Sequence, residues 1–138
     1  MKISARVQNS AGIHQVTLRT NDNVHAIDIP PRPAGFGSSA NGGELLFLAL
    51  ATCYCNDIYR EAAKRDLEIE SVEVEVEGGF GAEGEPARNV AYRAKVAAKA
   101  SETEIRELME HTDRVAEIQN TLRVGASVAL QHVEVVAV

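Results

Sequence analysis

The sequence has no tryptophan, and aromatic side chains make up only 4% of its 138 residues. A hydrophobic core must therefore be built mainly from valine, leucine, isoleucine and alanine. A length of 138 residues fits one domain. We expect residues 1–138 to form a single domain that can bury a core without disulfides or metals.

Clusters of basic residues are also missing from the chain. The formal net charge is −6, and no run of lysine or arginine interrupts this acidic balance. Because binding to a nucleic-acid backbone needs clustered positive charges, we do not expect a nucleic acid as partner. An acidic surface chiefly favours solubility.

No apolar run is long enough to cross a membrane. The longest run extends from Leu45 to Cys55 and is interrupted only by Thr52, well short of the roughly 20 residues that a membrane-spanning helix needs. The N-terminus lacks the apolar region of a secretion signal. We therefore expect no membrane partner and a cytoplasmic protein, in which both cysteines are reduced thiols.

Alternation of apolar residues and turn signals predict the elements of the first half of the chain. Three short strands are expected in the first thirty residues. A loop rich in Pro, Gly and Ser follows from Pro31 to Gly43 and leads into a helix from about Gly43 to Lys64. The apolar N-terminal half of this helix predicts that the helix is buried on most sides.

The second half of the chain completes an α+β pattern. Ser101 to Glu104 form a capping box, which predicts the start of a second helix. The order of elements indicates antiparallel sheets, not a doubly wound parallel sheet. The other predicted elements are strands over Ile69–Gly78 and Val90–Lys99, a short element over Val115–Leu122 and a last strand pair within Val124–Val138.

Of all segments in the sequence, Cys53–Tyr54–Cys55 most strongly indicates a reactive site. A helix turns by 100° per residue, so the two thiols point to nearly opposite sides and cannot bridge each other in an intact helix. Cys53 lies where an apolar face becomes polar, which fits either simple packing or the floor of a pocket. Cys55 shares its stripe with mainly apolar residues, which predicts packing in the core: Leu48, Ala51, Thr52, Ile58, Tyr59 and Ala62.

A metal site that combines both cysteines with a histidine is disfavoured. Thiols that point in opposite directions cannot ligate a single tetrahedral ion. We therefore expect neither a metal nor a cofactor.

The segment Ser39–Tyr54, which reads SANGGELLFLALATCY, resembles the central helix motif of the OsmC/Ohr family. That motif has an Asn-Pro-Glu-Glu-Leu-Leu-like start and an alanine-rich stretch that ends in Ala-Cys-Phe. The order of the predicted elements is also similar over nearly the whole chain. The resemblance implies an OsmC-like fold, with antiparallel sheets around a buried central helix, and an intertwined homodimer with active sites at its interface.

The resemblance also implies thiol-dependent reduction of small organic hydroperoxides, with Cys53 on the cysteine that attacks the peroxide and becomes a sulfenic acid. The family's second cysteine lies in a Cys-Pro motif after the second helix. That motif falls on Ala116 and Glu117, so no resolving thiol is expected there. The helix-start carboxylate falls on Gly43, and Glu44 follows one residue later.

The remaining supporting residues are candidates only. The family's N-terminal arginine has no counterpart at its motif position, and Arg32 in the long loop is the candidate that could reach a pocket. Tyr54 could line such a pocket, and Cys55 could resolve the sulfenic acid only if the helix unwinds. Arg60 favours a thiolate at Cys53, whereas Asp57, one helical turn away, opposes it.

Two functional hypotheses follow. The first is a one-cysteine hydroperoxide reductase of oxidative stress defence, in which an external thiol reduces oxidised Cys53. The second is a non-catalytic protein that keeps the dimer and its pocket and binds a small apolar molecule or senses redox state. In both, the valine-rich C-terminus is expected to form a strand that could pair across the dimer.

Overall fold

The structure, a computed structural model, describes all 138 residues of the chain. It contains five strands and three helices, and its residues form two compact units, Met1–Leu46 and Phe47–Val138. The predicted α+β class with antiparallel sheets is confirmed. The expectation of a single domain over residues 1–138 stays a prediction.

The first unit is built around a three-stranded antiparallel sheet. Its strands are β1 (Ile3–Ser10), β2 (Ile13–Thr20) and β3 (Asn23–Ile27), in the spatial order β1-β2-β3. The three strands predicted for this region are confirmed. Gly12, in the tight turn between β1 and β2, has a φ of 71°, which glycine adopts without strain.

The first helix, α1 (Gly42–Lys64), begins at a reciprocal capping box. The Asn41 side chain accepts a hydrogen bond from the Glu44 backbone N–H at 2.8 Å, and the Glu44 carboxylate accepts one from the Asn41 N–H at 3.0 Å. This pair satisfies backbone donors that the first helical turn leaves free. The predicted bounds of α1 are confirmed to within one residue.

The second unit packs α1 against a hairpin and a second helix. The hairpin consists of β4 (Ile69–Gly79) and β5 (Arg88–Ala98), and helices α2 (Glu102–Val115) and α3 (Glu117–Val124) follow. Ser101 caps α2 with the predicted capping box. The core of this unit is formed by Tyr54, Ile58, Ala62 and Leu108.

The apolar N-terminal half of α1 is buried or half-buried on most sides, as predicted. Its exposed residues follow a single stripe, and Leu48 in that stripe keeps 58% of its surface exposed. The exposed stripe consists of Glu44, Leu48, Thr52 and Asn56. The buried stripe consists of Leu50, Tyr54, Asp57, Ile58, Glu61 and Ala62.

The C-terminal segment from Gly125 to Val138 contains neither helix nor strand. Gly125, with a φ of 75°, ends α3. The strand pair predicted within Val124–Val138 is wrong for the single chain. Alternating apolar residues form a strand only where a neighbouring strand accepts and donates backbone hydrogen bonds, and this segment has no such neighbour.

No helix in the structure combines the length and the apolar character that crossing a membrane requires.

Candidate functional site

Cys53 lies on α1 opposite the first turn of α3. Its sulfur is 3.6 Å from Oδ2 of Asp57, one helical turn further along α1. It is also 3.9 Å from Oε2 of Glu117, the first residue of α3. The Cys53 thiol is partly buried and free of any disulfide. The site therefore places one thiol beside two carboxylates from different helices.

The connection between α2 and α3 explains how Glu117 reaches α1. A single residue, Ala116, separates the two helices, and it is fully buried. The Ala116 methyl group cannot accept a hydrogen bond, so α3 begins without a side-chain cap. The Ile118 backbone N–H in the uncapped first turn donates a hydrogen bond to the Cys53 sulfur. The first turn of α3 therefore lies against the Cys53 sulfur.

Arg60 joins the two carboxylates on their solvent side. Its Nη1 lies 2.9 Å from Oδ1 of Asp57 and 3.1 Å from Oε1 of Glu117. The Arg60 side chain is 41% exposed, whereas that of Asp57 is only 8% exposed. The guanidinium therefore compensates part of the negative charge that surrounds the thiol.

Burial raises the pKa of the Cys53 thiol, and the charges of Asp57 and Glu117 raise it further. The hydrogen bond from the Ile118 N–H acts in the opposite direction but does not outweigh them. At neutral pH the thiolate fraction of Cys53 is therefore smaller than that of an ordinary cysteine.

The two carboxyls also shift each other's protonation. Burial raises the pKa of Asp57, and a hydrogen bond to Glu117 raises it further against the opposing effect of Arg60. The pKa of Glu117 is lowered, chiefly by a hydrogen bond from its own backbone N–H and then by its contacts with Asp57 and Arg60. The two carboxyls therefore titrate as a pair.

Gln119 contributes an unusual polar atom to the first turn of α3. Its side chain is buried, and Nε2 donates a 3.0 Å hydrogen bond to the carbonyl of Leu50, one turn before Cys53 on α1. Its Oε1 is the buried side-chain polar atom that lacks a hydrogen-bond partner in the chain. Such an acceptor is costly to bury unless a water or ligand supplies a donor.

The other residues of the Cys53–Tyr54–Cys55 segment lie in different surroundings. Tyr54 is a core residue, 3% exposed, and its hydroxyl donates a hydrogen bond to the Met109 carbonyl at 2.9 Å. Cys55 is only partly buried and lines a shallow depression with Ala51, Thr52, Asn56 and Val74. Its predicted packing in the core is wrong for the single chain, because much of its stripe is exposed.

Glu44 and Arg32, the other predicted supporting residues, belong to the first unit. The Glu44 carboxylate is engaged in the capping box at the start of α1. Arg32 is exposed, and its guanidinium covers Gly37 within the long loop without forming an ion pair. Their part in the chemistry of Cys53 stays a prediction.

Sequence reasoning identified part of this cluster and missed the rest. The i+4 spacing from Cys53 indicated Asp57, and Arg60 was noted as the nearby cation. No local signal pointed to the Ile118 backbone or to Gln119. The donor atoms of Cys53, Asp57 and Glu117 all lie within 4.8 Å of one another. The arrangement can thus hold a cation or let the thiol react beside a proton acceptor.

Residues 35–131 match the family model described as OsmC-like protein. No curated protein matches the chain.

Solved structures of OsmC-like proteins align with most of this chain. An OsmC-like protein from Mycoplasma pneumoniae has 20% identity and a TM-score of 0.58, with 87% of each chain covered. An OsmC-like protein of unknown function from Vibrio cholerae has 16% identity and a TM-score of 0.59, with 88% of this chain and 94% of that chain covered. An organic hydroperoxide resistance protein OsmC from Legionella pneumophila has 19% identity and a TM-score of 0.57, with 89% and 90% covered. At these identities the similarity establishes the fold alone.

Proposed function

Because the chain belongs to the OsmC-like protein family, we propose that it is a one-cysteine hydroperoxide reductase that uses Cys53. Its substrates are small organic hydroperoxides, and an external thiol is its reductant. The structural neighbour from Legionella pneumophila, named an organic hydroperoxide resistance protein, supports this substrate class. A cytoplasmic location, where both free thiols would remain reduced, is part of the proposal.

The observation that carries the proposal is the environment of the Cys53 sulfur. It is reached by a backbone N–H at a helix N-terminus, and the Arg60 guanidinium lies beside the carboxylates next to it. Helix N-termini and guanidinium groups stabilise developing negative charge on sulfur and oxygen. Neither feature surrounds Cys55.

The reaction follows from this arrangement. The Asp57 carboxylate is the nearest acceptor for the thiol proton. The thiolate attacks one peroxide oxygen, so that an S–O bond forms, the O–O bond breaks and the leaving alkoxide takes up a proton as an alcohol. Cys53 is thereby oxidised to a sulfenic acid, and the hydroperoxide is reduced.

An external thiol completes the cycle. Its sulfur attacks the sulfenic acid, which releases water and leaves a mixed disulfide at Cys53. A second reductant thiol attacks that disulfide, restores the Cys53 thiol and leaves the reductant as a disulfide. Glu117 occupies the position where the family motif carries part of its Cys-Pro sequence, so an internal resolving step at this position is not part of the scheme.

Peroxide consumption tests the proposal. The purified chain is mixed with cumene hydroperoxide and either dithiothreitol or dihydrolipoamide, and loss of peroxide is followed. We expect turnover by the wild type and by Cys55→Ser, and none by Cys53→Ser above the uncatalysed rate. Equal rates for wild type and Cys53→Ser with both reductants would exclude the enzyme function.

A redox sensor is the second candidate, because the chain has no thiol at the position of the motif's second cysteine, so an oxidised Cys53 has no partner there to resolve it. Mass spectrometry separates the two functions. Addition of one oxygen at Cys53 by hydroperoxide, without catalytic peroxide loss, would support the sensor. Continuous peroxide loss would support the reductase.

A groove along α2 and β5 favours small-molecule binding as part of the non-catalytic alternative. It has a volume of about 960 Å³, and its walls include the apolar side chains of Val96, Ile105 and Met109. Pockets of this size and character hold small apolar ligands. Enhanced fluorescence of an anilinonaphthalene dye with the wild type, and loss of that enhancement in Ile105→Lys, would support this alternative.

We also propose that the chain forms a homodimer. Two features of the single chain support this proposal. Val7, Val16 and Ile27 stand opposite one another across β1, β2 and β3, and Val7 remains 60% exposed. The C-terminal segment leaves further apolar residues exposed, including Val135 at 82%. Apolar sheet faces and unpaired apolar segments are covered in stable proteins.

Sedimentation velocity tests the dimer. We expect a dimer for the wild type and a folded monomer for Val7→Lys, since an exposed position tolerates lysine in the single chain. Thr17→Lys is the matched control, because exposed Thr17 is one residue along β2 from Val16 and therefore lies on the opposite face of the sheet. A wild type that sediments as a monomer at all concentrations would rule out the homodimer.

A further inference from the structure

We propose that Cys53, Asp57 and Glu117 bind a divalent metal ion of borderline softness, such as Zn²⁺, and that the bound ion reversibly blocks the thiol. The binding site stands on the geometry of these side chains. The regulatory effect rests on the proposed hydroperoxide reductase function. This donor set differs from the combination of both cysteines with a histidine that the sequence disfavours.

The spacing of the donor atoms fits a tetrahedral ion. Zinc bonds of about 2.3 Å to sulfur and about 2.0 Å to oxygen, at a tetrahedral angle, separate the two donors by roughly 3.5 Å. The Cys53 sulfur lies 3.6 Å from the nearer Asp57 oxygen and 3.9 Å from the nearer Glu117 oxygen. Small side-chain rotations therefore suffice to bring the three donors onto one ion.

The chemistry of the donors selects the class of ion. A thiolate favours zinc and similar transition metals over Mg²⁺ and Ca²⁺, which prefer all-oxygen sites. Three protein ligands leave a fourth tetrahedral position for a water molecule. The Ile118 N–H that donates to the sulfur is a typical second contact of a metal-bound thiolate.

The orphaned oxygen of Gln119 is an independent sign of a missing donor near this site. The Gln119 side chain is held between the first turn of α3 and the turn of α1 that precedes Cys53. Its Nε2 is fixed by the Leu50 carbonyl, while Oε1 is buried without a partner. A bound water between the first turn of α3 and α1 would supply the donor that Oε1 lacks.

The charges of the cluster already attract a cation. Two carboxylates and a thiol converge on one point, and Arg60 is the only guanidinium that bridges both carboxylates. Because the Arg60 side chain is 41% exposed, moving it into solvent costs little. A divalent ion that displaces Arg60 delivers two positive charges in place of one and offsets the repulsion that opposes a thiolate here.

Binding involves no change in oxidation state. The Cys53 thiol loses its proton to solvent, and any proton held by the carboxyl pair leaves with it. A metal–sulfur bond forms, and the sulfur lone pair that would attack a peroxide is then engaged. Removal of the ion by a chelator restores the free thiol.

Cobalt(II) is the probe, because a cobalt–thiolate bond produces a charge-transfer band in the near ultraviolet. We expect one Co²⁺ per chain with such a band in the wild type and in Cys55→Ser. Cys53→Ser should lose the band. Glu117→Gln should bind Co²⁺ at least about tenfold more weakly than the wild type. Arg60→Gln should bind more tightly because it removes the competing cation, whereas Arg65→Gln should behave as the wild type. Circular dichroism confirms that each variant is folded.

Two results would overturn the metal site. One is the absence of the band at millimolar Co²⁺ in the folded wild type. The other is a band that is unchanged in Cys53→Ser, or an affinity that neither Glu117→Gln nor Arg60→Gln alters.

The regulatory effect is tested separately from binding. Alkylation of Cys53 by iodoacetamide should slow in the presence of Zn²⁺ and recover with chelator, whether or not the chain reduces peroxides. Protection from alkylation without any peroxidase activity would retain the metal site and reject the reductase. Peroxidase activity that Zn²⁺ at saturating concentration leaves unchanged would reject the regulation and retain the reductase.

Discussion

The carboxylate of Glu117 lies 3.9 Å from the sulfur of Cys53, although 64 residues separate the two in sequence. The family motif carries its Cys-Pro sequence where this chain has Ala116 and Glu117. The motif's cysteine thus falls on Ala116 and its proline on Glu117, so the chain has no thiol here and an acidic group lies next to Cys53. The Glu117 charge opposes ionisation of the Cys53 thiol, which leads to the first predictions.

Alkylation of Cys53 is expected to require a higher pH than that of an ordinary cysteine. Burial first, and then the carboxylates, raise the pKa of its thiol, so the thiolate fraction keeps rising beyond a pH of about 8.5. In Cys55→Ser only Cys53 reacts, so the rate of alkylation by iodoacetamide as a function of pH reports the thiolate fraction of Cys53. A rate midpoint at or below a pH of about 8.5 would contradict the raised pKa of Cys53.

Replacing Asp57 with asparagine should accelerate this alkylation at neutral pH. The substitution keeps the shape of the side chain but removes a charge whose interaction raises the pKa of Cys53. Asp66→Asn is the matched control, because Asp66 lies in an exposed turn with a φ of 53° that asparagine tolerates. A rate for Asp57→Asn at or below that of the wild type would contradict this effect of the Asp57 charge on the thiol.

Arg60→Gln should have the opposite effect on the thiol. It leaves the Asp57 and Glu117 carboxylates without the guanidinium that lies 2.9 and 3.1 Å from them. Their combined field then raises the pKa of Cys53 further and slows alkylation at neutral pH. A cation in the turn that follows α1 provides the comparison, and Arg65→Gln is expected to react at the wild-type rate. A rate for Arg60→Gln equal to that of the wild type would show that Arg60 does not compensate these charges.

Features that depend on neighbouring residues in the sequence could be predicted, whereas features that depend on residues far apart in the sequence could not. The Ser101–Glu104 capping box and the bounds of α1 follow from adjacent residues, and both were predicted correctly. The C-terminal segment shows similar alternation, but a strand needs a partner that local pattern does not supply. The single chain consequently leaves that segment unpaired.

The same limit applies to the candidate site. Asp57 is four residues from Cys53 and was found by helical spacing. Glu117 was named only as a residue at the position of the missing Cys-Pro sequence, without a predicted contact to Cys53. The Ile118 N–H and the Gln119 side chain were missed, because a backbone contact and a buried amide between two helices depend on tertiary packing.

The capping box at α2 provides a prediction on the pH dependence of stability. Hydrogen bonds from Ser101, chiefly from its backbone N–H, lower the pKa of Glu104 in the folded chain. The stability contributed by this charge is therefore present above the unfolded pKa and is lost as the pH falls through the folded pKa. Urea unfolding should give the wild type a larger free energy of unfolding than Glu104→Gln at neutral pH. This difference should shrink at acidic pH. Glu107→Gln, on the exposed side of α2, should differ from the wild type at neither pH.

The hairpin offers a direct test of packing, since Gly78 and Gly79 are adjacent on β4 but have different surroundings. A Cβ added at Gly78 would lie 2.9 Å from the Phe47 ring and 3.2 Å from the Val90 backbone, whereas one added at Gly79 meets nothing within 4 Å. Because the Val90 backbone cannot move without shifting β5, we expect Gly78→Ala to lower the free energy of unfolding by about 1–3 kcal/mol.

Gly79→Ala is the control for the Gly78 substitution. It should leave stability unchanged or raise it by up to ~1 kcal/mol, because alanine reduces the freedom of the unfolded chain. Urea unfolding monitored by circular dichroism measures both variants against the wild type. Equal stabilities of the two variants would mean that the hairpin and Phe47 do not pack as closely as the structure has them.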